Sequence, residues 1–359
     1  MRTATRSVRI YPELRAAQVH RDSQLMPAEG WFFNRNYDLP TEDVPDHFVQ
    51  MNTRAALQAV ARGDVSVLEV PELLWARELP RTVALLLVHK VCTHGSSRRV
   101  FYGIENNDPR RALFGTRGYP RLAVKLALTL VGATARLLVD GIAFGSQGAQ
   151  RSYDALPFFR RIRSALIEEL PARPSSQVTD SSGRRGAIFV GALEARKGIT
   201  RLQAAWEQVE QALPGAVLTI VGDGPLHDDV RAWSEGKPDS RKFTGRLPHA
   251  RVAELLQAST VLVAPSQREG RWREQVGLPI KEGLAAGVTV VSTSDTGLSS
   301  WLAAHGHFIV EGTDSALPEA IETALTQPLD PRAVVATLPA EDGRVVADRW
   351  LRAGQENPR

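Results

Sequence analysis

The sequence predicts an α/β protein built from two doubly wound, Rossmann-like domains with parallel sheets. Three observations lead there. Short apolar runs alternate with longer segments of helical period along most of the chain. A stretch rich in Pro, Ser and Gly, Pro171 to Gly186, lacks apolar periodicity and divides the chain near its middle. In the second half, glycine-bearing turns follow the apolar runs directly, as they do where strands of a parallel sheet meet a ligand. With 359 residues the chain is long enough for about two domains of ordinary size. The expected boundaries are 1–175, 176–330 and a tail over 331–359.

Bulk properties narrow the function classes. A hydrophobic content of 43% and a mean hydropathy of −0.19 describe an ordinary globular protein. The single cysteine, Cys92, cannot form an internal disulfide and suits a reducing, cytoplasmic compartment. The opening MRTATRSVRIYPELR is charged and has no apolar core of a secretory signal. The longest apolar window, Leu122–Leu138, is broken by Lys125 and Arg136, which argues for a buried helix over a membrane span. A net charge of +4 could serve nucleic acid, anionic lipid or anionic substrates. Zinc-finger spacing, helix-turn-helix patterning and aromatic RNA-binding signatures are all missing, so nucleic acid ranks last of the three.

In the first half, Val8–Tyr11 reads as a strand and Trp31 to Tyr37 as an aromatic, polar segment without a clear role. Arg54–Arg62 is expected as a helix, Val65–Val70 as a strand, and Thr82–Cys92 as an apolar helix closed by Gly95. Val100–Ile104 is a strand ending at Glu105-Asn106-Asn107-Asp108. Helix Leu122–Leu138, strand Gly141–Phe144 and helix Ser152–Leu170 follow. His94 fits a helix-end cap better than a catalyst. Basic residues gather at Arg110, Arg111, Arg117 and Arg121, and again at Arg160, Arg161 and Arg163. With Phe158 and Phe159, the second cluster could touch an anionic membrane peripherally, or form a solvated basic face.

The second half is clearer. Strands are expected at Ala187–Val190, Ala216–Val221, Lys242–Thr244, Val261–Ala264, Val288–Val291 and Phe308–Val310. Helices are expected at Ile199–Leu213, Leu226–Ser234, Ala250–Ala258, from Pro279 onward, at Gly297–Ala304 and at Ser315–Leu325, with a further helical pattern at Arg344–Leu351. His249, before a helix, reads as a surface residue.

Three constellations carry chemistry. After Phe189-Val190-Gly191, the run Arg196-Lys197-Gly198 sets two cations beside a helix start, where amide dipoles and side-chain charge together make an anion site. Two solvated cations capping a loop are the alternative. In Ile220-Val221-Gly222-Asp223-Gly224-Pro225 the glycines Gly222 and Gly224 permit a tight turn and close backbone approach to a ligand. Between Pro265 and Thr293, Glu274 lies in a loop and Glu282 one turn into the following helix, with seven residues between them. The two acids can bracket one hydroxyl-rich ligand, since carboxylates bond strongly to sugar hydroxyls. Backbone N–H groups at Val276, Gly277 and Leu278 can face the same ligand. Equally, Glu282 is favourably placed near a helix start in any protein.

The spacing of Glu274 and Glu282, with Pro265-Ser266 before and Gly287-Val288 after, resembles the donor-site signature of retaining GT-B glycosyltransferases of glycosyltransferase family 4. The IVGDGP turn and Thr244-Gly245-Arg246-Leu247 resemble further family loops. The resemblance implies the GT-B fold, two Rossmann-like domains facing a central cleft, with the carboxy-terminal tail crossing back to the first. It implies hexosyl transfer from a nucleotide-diphosphate sugar, with retention and without a metal ion, to a glycan, lipid or small-molecule acceptor. No Asp-x-Asp and no His/Cys cluster of ligand spacing is present. By the resemblance, Lys197 and Arg196 meet the diphosphate, Glu274 the donor sugar and Glu282 the ribose. Gly191, Gly222, Gly224, Gly245 and Arg246 line the nucleotide, Arg246 being equally readable as a surface charge.

Three departures stand out. The family's arginine before the Lys-Gly pair is Ala192 here, with Arg196 as a neighbouring substitute. No glycine-rich loop follows Tyr11. The first-domain histidine is replaced by Glu105-Asn106-Asn107, where Glu105 either takes a polar role near the reaction centre or only ends its strand. A catalytically silent GT-B subunit bound to a partner protein and a GT-B sugar-nucleotide epimerase are the rival readings.

Overall fold

In this computed structural model the chain is described over residues 6–36, 38–93, 97–175, 186–311 and 315–353. Tyr37, His94, Gly95 and most of the stretch expected as a linker, 176–185, lie outside them. Two compact units are formed, one by Met1–Glu168 with Arg344–Arg359, the other by Glu169–Gly343.

The first unit carries, in chain order, β1 (Arg6–Leu14), α1 (Ala16–Asp22), β2 (Glu29–Arg35), β3 (Phe48–Gln50), α2 (Thr53–Ala61), β4 (Val65–Glu69), α3 (Leu79–Cys92), β5 (Arg98–Gly103), α4 (Pro109–Phe114), α5 (Arg121–Leu138), β6 (Gly141–Phe144), α6 (Gln147–Asp154) and β7 (Ser164–Leu166). Its seven strands lie in the order β3-β2-β1-β4-β5-β6-β7, every pair parallel. Helices can cover both faces of such a sheet, so an inner strand can be apolar throughout: β6 is buried at all four positions.

Three expectations are corrected here. The aromatic segment from Trp31 is strand β2, with Trp31, Phe32 and Phe33 buried; polar Asn34 and Arg35 at its end hid the pattern. The expected helix Ser152–Leu170 does not form. The chain leaves α6 at Asp154, reaches Pro157 and a left-handed Phe158 (φ 66°), and ends in β7; proline and a positive φ both end a helix. Phe159 is buried against Phe144 and Tyr153, and Arg163 stacks 3.7 Å from the Trp350 ring. Phe158, Arg160 and Arg161 of the same segment are exposed. Finally, α5 is amphipathic: Val124, Val131, Gly132, Ala135 and Leu138 are buried, while Leu122, Leu126, Leu130 and Leu137 are exposed.

The second unit carries β8 (Ala187–Val190), α7 (Ile199–Ala212), β9 (Leu218–Val221), α8 (His227–Glu235), β10 (Arg241–Gly245), α9 (His249–Ala258), β11 (Val261–Ala264), α10 (Leu278–Ala285), β12 (Thr289–Thr293), α11 (Ser299–Ala304), β13 (Phe308–Val310), α12 (Ala316–Thr326) and α13 (Pro331–Ala336). Its six strands run parallel in the order β10-β9-β8-β11-β12-β13. Trp206, Leu202, Ile220, Val263 and Ile321 centre its core. Residues before the undescribed stretch are ordered on this unit: Arg173 donates to the carbonyls of Ala336 and Leu338 at 2.8 and 3.0 Å.

The last helix, α14 (Gly343–Arg352), packs into the first unit, where Ala347 and Leu351 are buried with Val100 and Ala143.

Candidate active site at the carboxyl edge of the second sheet

In the order β10-β9-β8-β11, chain direction across the sheet reverses between β8 and β11. A doubly wound sheet opens a crevice at that point, outside the carboxyl ends of the strands. The loop after β8 brings Lys197 there, and the loop after β11 brings Glu274. Their ammonium and carboxylate groups meet at 2.5 Å, and the Ser266 hydroxyl donates to the same carboxylate oxygen at 3.1 Å. The three sequence-predicted parts, the Lys-Gly pair, Pro-Ser and the loop acid, thus form one cluster.

Local sequence explains the placement of Lys197. Ala195–Lys197 is a single 3-10 turn, closed by Lys197 N–H donating to the Glu194 carbonyl at 3.0 Å. Gly198 then takes φ 78° and leads straight into α7. A Cβ at Gly198 would collide with the Pro265 carbonyl, so only glycine lets this turn sit against the β11 loop. That loop is also tied from the other side. Gln267 N–H donates to the Arg196 carbonyl at 2.9 Å, and its side-chain amide to the Ala195 carbonyl at 2.8 Å.

Arg196 is turned differently from Lys197. It pairs with Glu194 and lies 4.4 Å from the centre of the Trp272 ring; the Lys197 ammonium is 5.1 Å from the same ring. One indole therefore faces both cations, which holds them close despite their repulsion. Trp272 escaped the sequence reading. The available signal was a lone aromatic inside a strongly charged loop, Arg271-Trp272-Arg273-Glu274. That loop is fixed at its far end by Asp295, which pairs with Arg268 and Arg273.

The glycine turns form a second group. Gly191 N–H donates to the Val221 carbonyl, and Gly222 N–H to the Gly245 carbonyl, each at 3.0 Å. A Cβ on Gly222 would strike the Gly191 carbonyl. Three predicted glycines, from the ends of β8, β9 and β10, are thus linked through Gly222. Gly224 follows, and its N–H donates to the Asp223 carboxylate at 2.8 Å. This bond, with the His227 ring at 2.9 Å, lowers the Asp223 pKa. Arg246 is exposed beside Gly245.

Val276 is buried, Gly277 takes φ 77° as the cap of α10, and Leu278 is half exposed. The first N–H groups of α10 have no partner inside the helix, as at any helix start. Glu282 stands one turn further and bonds the exposed His249 ring at 3.1 Å. His249 is a surface residue as expected, and it is also the partner of the predicted ribose ligand.

In the first unit, at the carboxyl ends of β4 and β5, the sequence reading missed a buried carboxylate. Glu72 accepts the N–H groups of Ile104 and Glu105 at 3.1 to 3.3 Å and the Tyr153 hydroxyl at 3.1 Å. Burial, then the charge of Glu105, pushes its pKa up to about 8. Glu105 itself accepts from the Asn107 N–H and side-chain amide at 2.9 and 2.8 Å, so it orders the turn that ends its strand. A glutamate directly after a strand and a proline was the only sequence signal. Among the described residues no group of three or more His, Cys, Asp or Glu could hold a metal ion, and no helix is long and apolar enough to cross a membrane.

Residues 175–337 match the family described as glycosyl transferases group 1. Over 251 residues the chain is 29% identical to 2-deoxystreptamine N-acetyl-D-glucosaminyltransferase of Streptomyces fradiae, covering 64% of this chain and 58% of that protein. It is 31% identical over 119 residues to glycogen synthase of Mycobacterium tuberculosis, covering 33% of this chain and 28% of that one. The chain therefore spans less than two thirds of the length of these relatives. Among solved structures, the lipopolysaccharide outer core galactosyltransferase WaaB superposes with a TM-score of 0.66 at 10% identity, covering 96% of this chain and 98% of that one. Anabaena Alr3699/HepE in complex with UDP gives 0.66 at 14% identity, covering 96% and 95%. The fold is GT-B, and the match to the group 1 glycosyl transferases lies within residues 175–337.

Proposed function

We propose that this GT-B protein, with its match to the group 1 glycosyl transferases, moves a hexosyl group from a nucleotide-diphosphate sugar to a hydroxyl acceptor. The transfer retains anomeric configuration and uses no metal ion. The observation that carries the reading is the Lys197–Glu274–Ser266 cluster at the crevice between β8 and β11. A cation and a carboxylate held together there match the two ends of such a donor: diphosphate and sugar hydroxyls. UDP in the HepE complex is consistent with this class of donor.

In the proposed reaction the bond between the anomeric carbon and the diphosphate oxygen breaks, and its electron pair stays on that oxygen. Lys197 and Arg196, with the N–H groups opening α10, stabilise the growing charge more in the transition state than in the ground state. The acceptor oxygen bonds the anomeric carbon on the same face and gives its proton to the departing phosphate. Glu274 holds the sugar and Glu282 the ribose. The glycine turns at Gly191, Gly222, Gly224 and Gly245, with Arg246, lie along the nucleotide, and Val276, Gly277 and Leu278 offer backbone donors.

Ala192, where similar enzymes carry an arginine, favours a second reading: a silent subunit that keeps the donor pocket and serves a partner protein. A thermal-shift screen against UDP, GDP, ADP and their sugar conjugates, without added metal, tests both, because a ligand of the folded state raises the midpoint by mass action. One diphosphate series should stand out, and Lys197→Ala should abolish its shift. Consumption of that sugar nucleotide only when an acceptor is present marks a transferase; consumption without acceptor, to an isomeric sugar nucleotide, marks an epimerase. A diphosphate shift with no turnover would leave the silent subunit standing. No shift at millimolar nucleotide would defeat the donor-site reading.

A further inference from the structure

The geometry points to α5 as a docking face for an anionic lipid bilayer. The inference is independent of the donor site, because every residue in it belongs to the first unit.

Leu122 is 78% exposed, and Leu126, Leu130 and Leu137 are 58%, 59% and 64% exposed. At 3.6 residues per turn these four fall within about 80° of helix arc, so they form a continuous apolar ridge. The opposite face, Val124, Val131, Ala135 and Leu138, supplies the core. Folding of the unit therefore does not need the outer leucines. Val91 on the neighbouring α3 is 74% exposed, and Lys90 beside it donates to the Leu137 carbonyl at 2.6 Å, which extends the apolar surface across two helices. Contiguous apolar surface of this kind marks an interaction site.

Charge selects the partner. Between Pro109 and Val139 there are six Lys or Arg residues and not one Asp or Glu. Arg121, Lys125 and Arg136 flank one side of the leucine ridge, at about 40 to 100° from Leu122 on the helical wheel. On that flank, Arg110 of α4 joins Arg121 and Lys125 around a cavity of about 310 Å³ walled by Val124, Leu128 and Pro157. An apolar ridge to enter the acyl boundary, beside cations that meet lipid phosphates, is the arrangement of a helix lying in a membrane interface.

A second copy of the chain fits less well. A twofold contact would lay the same all-basic flank against itself, and like charges facing each other oppose association. Nucleic acid would meet the cations but leave the leucines in water. The helix lies on the surface without crossing, in keeping with the absence of any membrane-crossing helix among the described residues.

Vesicle flotation of the whole protein tests the inference, using phosphatidylcholine alone and phosphatidylcholine with one third phosphatidylglycerol, at low and high salt. The protein should float with the phosphatidylglycerol vesicles at low salt and stay behind with phosphatidylcholine. Replacing Arg121 and Lys125 by Gln should weaken that binding about fivefold per cation. Replacing Leu122, Leu126 and Leu130 by Ser should weaken it on the order of tenfold or more. Both variants should keep the melting temperature, because these side chains are exposed. Failure of the wild-type protein to float overturns the inference, as does equal binding to both vesicle types or undiminished binding by the serine variant. A dimer in light scattering that the serine variant dissolves, with no flotation, would assign the ridge to self-association instead.

Discussion

Arg9, in the first strand, and Asp348, in the last helix, are 339 residues apart and share a buried ion pair at 2.8 Å. Around them lies a closed network. Glu69 at the end of β4 accepts from Arg9 at 3.1 Å, Arg344 at 2.5 Å and Arg352 at 3.0 Å. Asp348 also accepts from Arg352 at 2.9 Å and from the Met26 N–H at 2.8 Å. Burial alone would raise the Glu69 pKa, but Arg344, Arg9 and Arg352 together pull it down to about 2. Each buried charge is matched, so the chain's two ends are fastened within one unit.

Removing one partner from such a network strands the others in a dry site. Asp348→Ala is expected to cost the first unit about 3–5 kcal/mol, whereas Asp348→Asn should cost less because it retains one acceptor. Differential scanning calorimetry checks this as a lowered first transition, with the transition of the second unit unmoved.

Glu72 gives the first unit a pH dependence. Its folded pKa, raised to about 8 from an ordinary carboxyl value, means the folded state holds the proton more tightly. Its contribution is fully present below the unfolded pKa and is lost as pH rises through about 8. The unit should therefore lose stability on the order of a few kcal/mol between pH 5 and pH 8. Glu72→Gln, which keeps the acceptor for the Ile104 and Glu105 amides, should flatten that slope. Urea midpoints measured across this range decide it.

The second unit should respond to acid. His307, just before β13, is buried beside β12, and its Nδ1 accepts the Val290 N–H at 3.1 Å. Burial, then the neighbouring His305, lowers its pKa to about 4. Stability is present above pH 6.5 and is lost as pH falls through about 4, where the buried ring must charge. His307→Asn, with a neutral acceptor for Val290, should lessen the loss on acidification even if it lowers stability at neutral pH.

Trp272 should matter to the donor site without touching the fold's core. In Trp272→Ala, Arg196 and Lys197 lose their shared ring, worth about 0.5–1 kcal/mol for each cation at a partly exposed site. The dissociation constant for the preferred nucleoside diphosphate should rise about fivefold to thirtyfold, read by calorimetric titration. Trp272→Phe should restore part of the loss, which a merely structural defect would not do.

The sequence by itself determined the architecture of the second unit. Apolar runs such as Val261–Ala264 and Thr289–Thr293, buried on both faces and bounded by glycine and proline turns, can form little else than inner strands of a parallel sheet. It also placed glycine where the backbone turns left-handed, as at Gly198 with φ 78°. Tertiary structure alone decided three other matters. It joined Lys197 to Glu274 across 77 positions, and it set Arg9 and Glu69 as the partners of the last helix, whose return to the first domain the family resemblance implied. It also set which face of α5 met the core, so that leucines that read as buried stand in solvent. Periodicity records how apolar residues are spaced around an element. Which side of that element receives a neighbour depends on chain packed from elsewhere, and no local pattern carries that information.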